Sequence, residues 1–409
     1  MPYHGIPVGK QFPQRVPAMN SNLWSPLLDT FDHQDEVFAP AFSILQEAIT
    51  QRAFPAASIA ITHGGRLIAL KAFGHFTYKP SEKIAVGAPS SSRSLREGGD
   101  FDLHVTPATL FDLSSLTKVV STTTMAMILY ERGLLDLDAH VSGVIPEFIT
   151  DAARDPRRHE VTFRMLLAHS SGLPAYEKLF LRVHTRAELL QAALTTPLAA
   201  NPATSAVYSD IGFIILGIAL ERLADESLDR FCQREIFAPL AMTSTTFNPP
   251  TEIRAAIPPT ADDQTFRHRI IQGEVQDENA SILGGVAPHA GLFSSAADLA
   301  IFAHAMLRAG GPILRPETVA LFTRRESAPP ATSRTLGWDT PSTSSQSGKY
   351  LSPQSYGHLG YTGTSLWIDP SRELSITLLT NRTWPDCSNL AIKQVRPKFH
   401  DAIVEALCE

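Results

Sequence analysis

The chain has 409 residues, 44% hydrophobic and 19% charged, which is enough apolar material for a large core and too much length for one small domain. A formal net charge of −6 gives no basic face to attract nucleic acid or an anionic membrane surface, and the short basic clusters at 154–159 and 267–269 read as solvated surface. Cys232, Cys387 and Cys408 are too few and too widely spaced for a disulfide framework or a zinc knuckle. The N-terminal twenty residues lack the apolar core of a secretory signal, and no apolar run is long enough to span a bilayer, so the expectation is a soluble cytoplasmic protein with no nucleic-acid or membrane partner.

Residues 1–36, rich in Pro and polar side chains, predict an N-terminal arm. Over 37–52, Phe42, Ile44, Leu45 and Ile49 mark the apolar face of a helix. Two β-like runs, 57–62 and 67–70, flank Gly64-Gly65, a hairpin signal. Residues 79–105 read as a long irregular excursion.

The stretch Leu113-Ser114-Ser115-Leu116-Thr117-Lys118 then opens a helix that carries little charge before Glu131-Arg132 and has Gly133 as its C-terminal cap. So little charge predicts burial at the centre of the molecule. Helical patterns follow at 163–168, 186–193, 211–224, 228–237 and 296–308. Residues 326–353, dense in Ser, Thr and Pro, read as a surface loop. A second hairpin is predicted from 365–369 and 374–379, where Leu374, Ile376 and Leu378 alternate with Ser375 and Thr377, and a closing helix covers about 390–407. The order predicts an α+β fold of two lobes: an antiparallel sheet flanked by helices, built from 37–113 and 281–409, and a mostly helical lobe over 114–280, with the active site between them.

Three segments carry chemistry. A side chain on a helix leans toward the helix N-terminus, so Lys118 points back at Ser115 and sets an amine beside a hydroxyl. Free N–H groups and the positive dipole end at a helix start stabilise an alkoxide and disfavour a protonated lysine. Ser115 is thereby a candidate nucleophile, although Ser114 or Ser115 would also serve as a plain helix cap. Tyr208-Ser209-Asp210 precedes the 211–224 helix, at a junction from which a phenol can project into a cleft and exchange a proton with Ser115. His358-Leu359-Gly360-Tyr361 leads into the second hairpin, where a main-chain N–H can complete an oxyanion hole with that of Ser115. No G-x-S-x-G elbow, metal-spaced histidine pair or phosphate-binding glycine loop occurs, so neither a metal nor another cofactor is expected.

With these segments in this order, the sequence resembles the penicillin-recognising serine hydrolases: class C β-lactamases, DD-peptidases and family VIII carboxylesterases. Ser115-x-x-Lys118, Tyr208-x-Asp210 and His358-x-Gly360 match that group's three motifs, and the similarity continues in Leu166 through Pro174, in His289-Ala290-Gly291-Leu292-Phe293-Ser294 and in Gly363 through Pro370. The resemblance spans about residues 40–405 and implies the group's two-lobed β-lactamase-like fold and an acyl-enzyme on Ser115, with Lys118 or Tyr208 as base.

The departures bear on substrate. Where relatives acting on β-lactams commonly have Asn, ionised Asp210 cannot donate to a substrate carbonyl, and where they have Lys, His358 supplies no fixed charge. These changes predict a preference for uncharged short-chain esters, as in a family VIII-type carboxylesterase. The alternatives are a β-lactamase, DD-carboxypeptidase or other amidohydrolase on cell-wall peptides, or a catalytically silent binder of the same fold. The small-molecule partner is thus an ester or an amide. Residues 273–280 resemble a segment of members linked to cell-wall turnover, with Gln276 in place of the usual His.

Overall fold

The structure, a computed structural model, describes residues 25–78, 103–150, 155–343 and 345–408; the irregular excursion predicted from 79 lies mostly outside these. Its main sheet has six strands in the spatial order Leu28–Asp29, Arg66–Gly74, Ala56–His63, Leu374–Thr380, Ser365–Asp369 and Tyr356–Leu359. All pairings are antiparallel except that of Leu28–Asp29, which runs parallel to Arg66–Leu67. The last part of the predicted arm therefore extends the sheet edge. The two hairpins meet at the centre, with Ile61 opposite Ile376 and Ile376 opposite Trp367.

Period-2 side-chain alternation divides two cores across this sheet. Ile59, Ile61, Trp367, Ile376 and Leu378 face the Ala39–Thr50 and Ile392–Ala406 helices, joining Phe42, Leu45, Phe399 and Ile403. Ala60, Leu366, Ile368 and Leu379 face the Ala296–Leu307 helix and join the larger core. Both faces are covered, which is why the central strands carry almost no charge.

The larger core continues into the helical part. The Asp210–Ala224 helix buries every residue from Ile211 to Leu220, as expected for a helix apolar all round. It packs on Phe163–Leu167, Arg186–Thr195 and Thr124–Glu131. Gly217 lets it approach the loop that precedes the Leu292–Ser294 strand, since a Cβ there would lie 1.9 Å from Pro288 Cγ. The predicted central helix is buried, but its first half is not α-helical: a 3₁₀ turn, Ser114–Leu116, leads into a π-helical stretch, Lys118–Thr123, before Thr124–Glu131. Such windings are frequent at functional sites.

Two short sheets have strands of two or three residues, too short to carry an alternation in the sequence: Phe111–Asp112 with Leu292–Ser294 and Thr246–Phe247, and Ala261–Asp263 with Arg269–Ile271. The stretch 326–353 is also more than a surface loop. Leu336 and Trp338 within it are fully buried, and the Trp338 ring lies 5.1 Å from Tyr356 and 6.3 Å from Phe302.

Candidate active site

The turn bearing Ser115 is fixed from both sides. Asp112 accepts the Ser114 N–H at 2.8 Å and the Gln276 N–H at 2.7 Å, joining the turn to the 273–280 segment. From the sheet edge, Thr362 Oγ1 donates to Asp112 O at 2.8 Å and Thr364 Oγ1 to Leu113 O at 3.0 Å. Gly360 permits this close approach: a Cβ there would meet Thr364 Oγ1 at 1.9 Å and Leu113 O at 2.6 Å. Arg396 of the closing helix holds the same corner, donating to Gly360 O at 2.6 Å, Thr364 O at 2.8 Å and Gln346 Oε1 at 2.8 Å.

The three predicted motifs converge on Ser115. Lys118 Nζ lies 3.1 Å and Tyr208 Oη 2.7 Å from Ser115 Oγ. Lys118 is fully buried and holds two further contacts, His289 O at 2.9 Å and Asp210 Oδ1 at 2.6 Å. Burial works to neutralise its amine, but the Asp210 carboxylate and the neighbouring Tyr208 outweigh it and raise the pKa above the ordinary lysine value. Burial pushes Tyr208 up to about 12, against the Lys118 charge and with Asp210 adding to the rise. At neutral pH the resting site thus presents a protonated phenol and an ammonium to Ser115.

His358 lies in the third strand segment, 5.7 Å from the Tyr208 ring. Its Nδ1 is 2.8 Å from Leu359 O; a carbonyl only accepts, so Nδ1 carries the proton and Nε2 is a bare acceptor. Burial, then the Lys118 and Arg334 charges, holds its pKa well below the ordinary imidazole value. The expected absence of fixed charge at this position therefore has burial as its main cause.

The two main-chain N–H groups of the third segment that the oxyanion expectation covers, those of Gly360 and Tyr361, are differently placed. The Gly360 N–H donates to Thr364 O at 2.7 Å, closing the tight turn that ends the strand, so it is committed and cannot serve substrate. The adjacent Tyr361 N–H donates to the Ser114 hydroxyl at 3.0 Å, close to the Ser115 turn. Ser114 has φ +49°, a left-handed conformation uncommon outside Gly, Asn and Asp. The Tyr361 ring is 49% exposed, with the Arg382 guanidinium 4.4 Å from its centroid.

A profile of the beta-lactamase family matches residues 41–394. The chain belongs to that family. An N-acetylmuramyl-L-alanine amidase of Bacillus subtilis strain 168 is 33% identical over 80% of this chain and 77% of its own length. In fold, this beta-lactamase-family chain is similar to EstCE1, described as a hydrolase with promiscuous acyltransferase activity (TM-score 0.68, 20% identity, 91% and 99% of the two chains), and to a class C beta lactamase from Rhodobacter sphaeroides (TM-score 0.65, 21% identity, 90% and 99%). The protein is thus a serine hydrolase of β-lactamase fold, and no helix among the described residues is long and apolar enough to cross a membrane.

Four further residues of this family site were not singled out from sequence. His169 accepts the Ser209 N–H on Nδ1 at 3.0 Å and packs its ring 4.7 Å from Tyr208 and 5.1 Å from Phe213, orienting the corner that carries the phenol. His289 offers its carbonyl to Lys118 while its Nε2 lies 2.9 Å from Asp277 Oδ1. Asp277 also caps the Glu278–Ile282 helix, so the 273–280 segment braces the lysine through His289. Asp112 fixes the Ser115 turn as described above. Arg334 brings its guanidinium 5.6 Å from the Tyr208 ring centroid. Of these, His169 and His289 stand in segments quoted for the family resemblance, which was the available signal; Asp112 and Arg334 stand in no motif.

Proposed function

We propose that this serine hydrolase cleaves amide bonds of cell-wall-type acyl amino acids, such as a muramyl-L-alanine or a D-Ala-D-Ala peptide, through an acyl-enzyme on Ser115. The observation that carries this reading is the phenol of Tyr208, protonated with its pKa near 12 and 2.7 Å from Ser115 Oγ. An amine leaves an acyl centre only if it gains a proton, and Tyr208 is positioned to give one; an aryl ester does not need it. The B. subtilis amidase, 33% identical over most of this chain, supports the same substrate class.

In this reading Tyr208 first loses its proton to solvent beside the Lys118 ammonium, and the resulting phenolate takes the Ser115 proton as Oγ attacks the carbonyl. Lys118, held by Asp210, stabilises the phenolate that precedes attack. The Ser115 N–H, in a first helical turn where it has no intrahelical acceptor, and the Tyr361 N–H, which exchanges its resting bond to the Ser114 hydroxyl, receive the developing oxyanion. Tyr208 then passes its proton to the leaving amine, and water repeats the sequence on the acyl-enzyme.

The second reading, a short-chain carboxylesterase of family VIII type, is favoured by neutral His358 and by Asp210 in the place of a donating amide. One of its premises is that His358, in the place of a Lys, supplies no fixed charge, and the Arg334 guanidinium, whose charge reaches His358, weakens that premise. Turnover of N-acetylmuramyl-L-alanyl-D-isoglutamine, a D-Ala-D-Ala peptide, nitrocefin and p-nitrophenyl butyrate separates the two. Release of alanyl product from either peptide supports amide cleavage; ester turnover with both peptides intact overturns it.

A further inference from the structure

The segment leading to Trp338 is built to hold one cation still. Trp338 is buried against Tyr356 and Phe302, and main-chain N–H groups on both sides of it are hydrogen-bonded. Arg334 N–H donates to Thr332 Oγ1 at 3.1 Å, Leu336 N–H to Phe322 O at 3.2 Å and Gly337 N–H to Leu167 O at 3.0 Å. The turn so fixed places the Arg334 guanidinium over Tyr208, close enough for its charge to help depress both His169 and His358.

That guanidinium is weakly matched. Among the described residues its ion-pair contact is Nη1 to Asp339 Oδ2 at 3.7 Å, beyond hydrogen-bond length. Asp339 Oδ1 already takes the Ser333 hydroxyl at 2.7 Å and the Thr340 N–H at 3.0 Å. A guanidinium has five N–H donors in a fork that fits a carboxylate. A second group whose charge environment includes Arg334 has an unfilled acceptor: His358, only 3% exposed, has no hydrogen bond at Nε2.

We propose that Arg334 is a specificity-determining residue that anchors a carboxylate on the leaving group of the substrate, supplying the cation absent from position 358. The side is set by Tyr208: if that phenol protonates the departing atom, as proposed above, what lies over its ring faces the leaving group rather than the acyl group. An amino acid or peptide with a free carboxylate near its amine meets both needs of the site, an anion for Arg334 and an N–H of the kind that His358 Nε2 can accept. The cation comes from a buried turn before the sheet edge, outside the three motifs, so substrate charge preference in this chain is set independently of them.

Two esters sharing an acyl group test this without requiring amide cleavage: 3-(butyryloxy)benzoate and phenyl butyrate, which differ by the carboxylate on the leaving phenol. The unaltered enzyme should favour the anionic ester in kcat/KM, and the anionic-to-neutral ratio should fall tenfold or more in Arg334→Ala and less in Arg334→Lys. A ratio unmoved by Arg334→Ala overturns the assignment. In the unaltered protein, 3-hydroxybenzoate should inhibit phenyl butyrate turnover at least ten times more strongly than phenol; equal inhibition also overturns it. An Arg334-dependent ratio in an enzyme that leaves both cell-wall peptides intact upholds Arg334 and refutes the amide reading, so the two fail separately.

Discussion

At the scale of single residues, the site turns on where one proton resides. Asp210 pulls the pKa of Lys118 and of Tyr208 in the same direction, upward, so the state able to accept the Ser115 proton is reached on the alkaline side. Asp210→Asn removes a negative charge and lowers both values. The ascending limb of kcat/KM against pH should move to lower pH by about 1–3 units, the usual effect of one close charge. A limb that stays in place would mean that another group controls acylation.

Asp112 offers a second test by titration. Burial outweighs its two N–H donors and raises its pKa from 3.8 to about 6. A carboxyl with a raised folded-state pKa adds stability that is complete below about 4 and lost as pH rises through about 6. Stability of the native chain relative to Asp112→Asn, from urea unfolding, should therefore fall by ~3 kcal/mol between pH 4 and pH 7, taking 1.36 kcal/mol per unit. A flat difference would show that Asp112 does not titrate in this range.

At the scale of elements, the active-site corner is held by a helix that contributes nothing to the chemistry. Arg396 of the Ile392–Ala406 helix satisfies the carbonyls of Gly360 and Thr364, keeping the Tyr361 N–H beside the Ser115 turn. Arg396→Ala removes a charged donor from both carbonyls, each of which keeps one main-chain partner (the Gly363 N–H on Gly360 O and the Gly360 N–H on Thr364 O), at about 1.5–3 kcal/mol each. It should lower kcat more than it raises KM, because the loss falls on an oxyanion donor engaged mainly in the transition state. Steady-state kinetics on p-nitrophenyl butyrate gives the split; a pure KM effect would place the corner in ground-state binding.

The same scale separates what could be read from sequence and what could not. Ser115 and Lys118 are neighbours along one helical turn, so spacing alone announces their contact. Tyr208 and His358 were visible by their flanking signals, a helix start and a hairpin. Asp112 lies in a two-residue strand with no pattern of its own, and Arg334 lies in a stretch whose Ser, Thr and Pro content signals a loop. Trp338 turns that stretch inward by tertiary packing, which composition does not encode. The choice of Tyr361 over Gly360 as oxyanion donor depends on the difference between a turn-closing main-chain bond, Gly360 to Thr364 O, and an exchangeable bond to a hydroxyl, Tyr361 to Ser114, again a tertiary detail.

At the scale of the molecule, strands from both ends of the chain form the wall that carries His358 and Tyr361, while Ser115, Tyr208 and the Lys118–Asp210 pair come from the helices between. Chemistry and charge preference are thus on separate supports. The Ser115 turn and the Asp210–Ala224 helix supply acyl transfer, and the turn at Trp338 supplies the cation. The two should vary independently: substitutions at Arg334 change which leaving group is preferred, and substitutions at Ser115 abolish turnover of every substrate. The central claim is acylation of Ser115, and it is tested most directly by mixing the protein with p-nitrophenyl butyrate or a D-Ala-D-Ala peptide, quenching in acid and mapping the mass increase by peptide mass spectrometry. The account predicts an acyl group on the peptide containing Ser115 and none in Ser115→Ala; an adduct at another residue, or turnover persisting in Ser115→Ala, would contradict it.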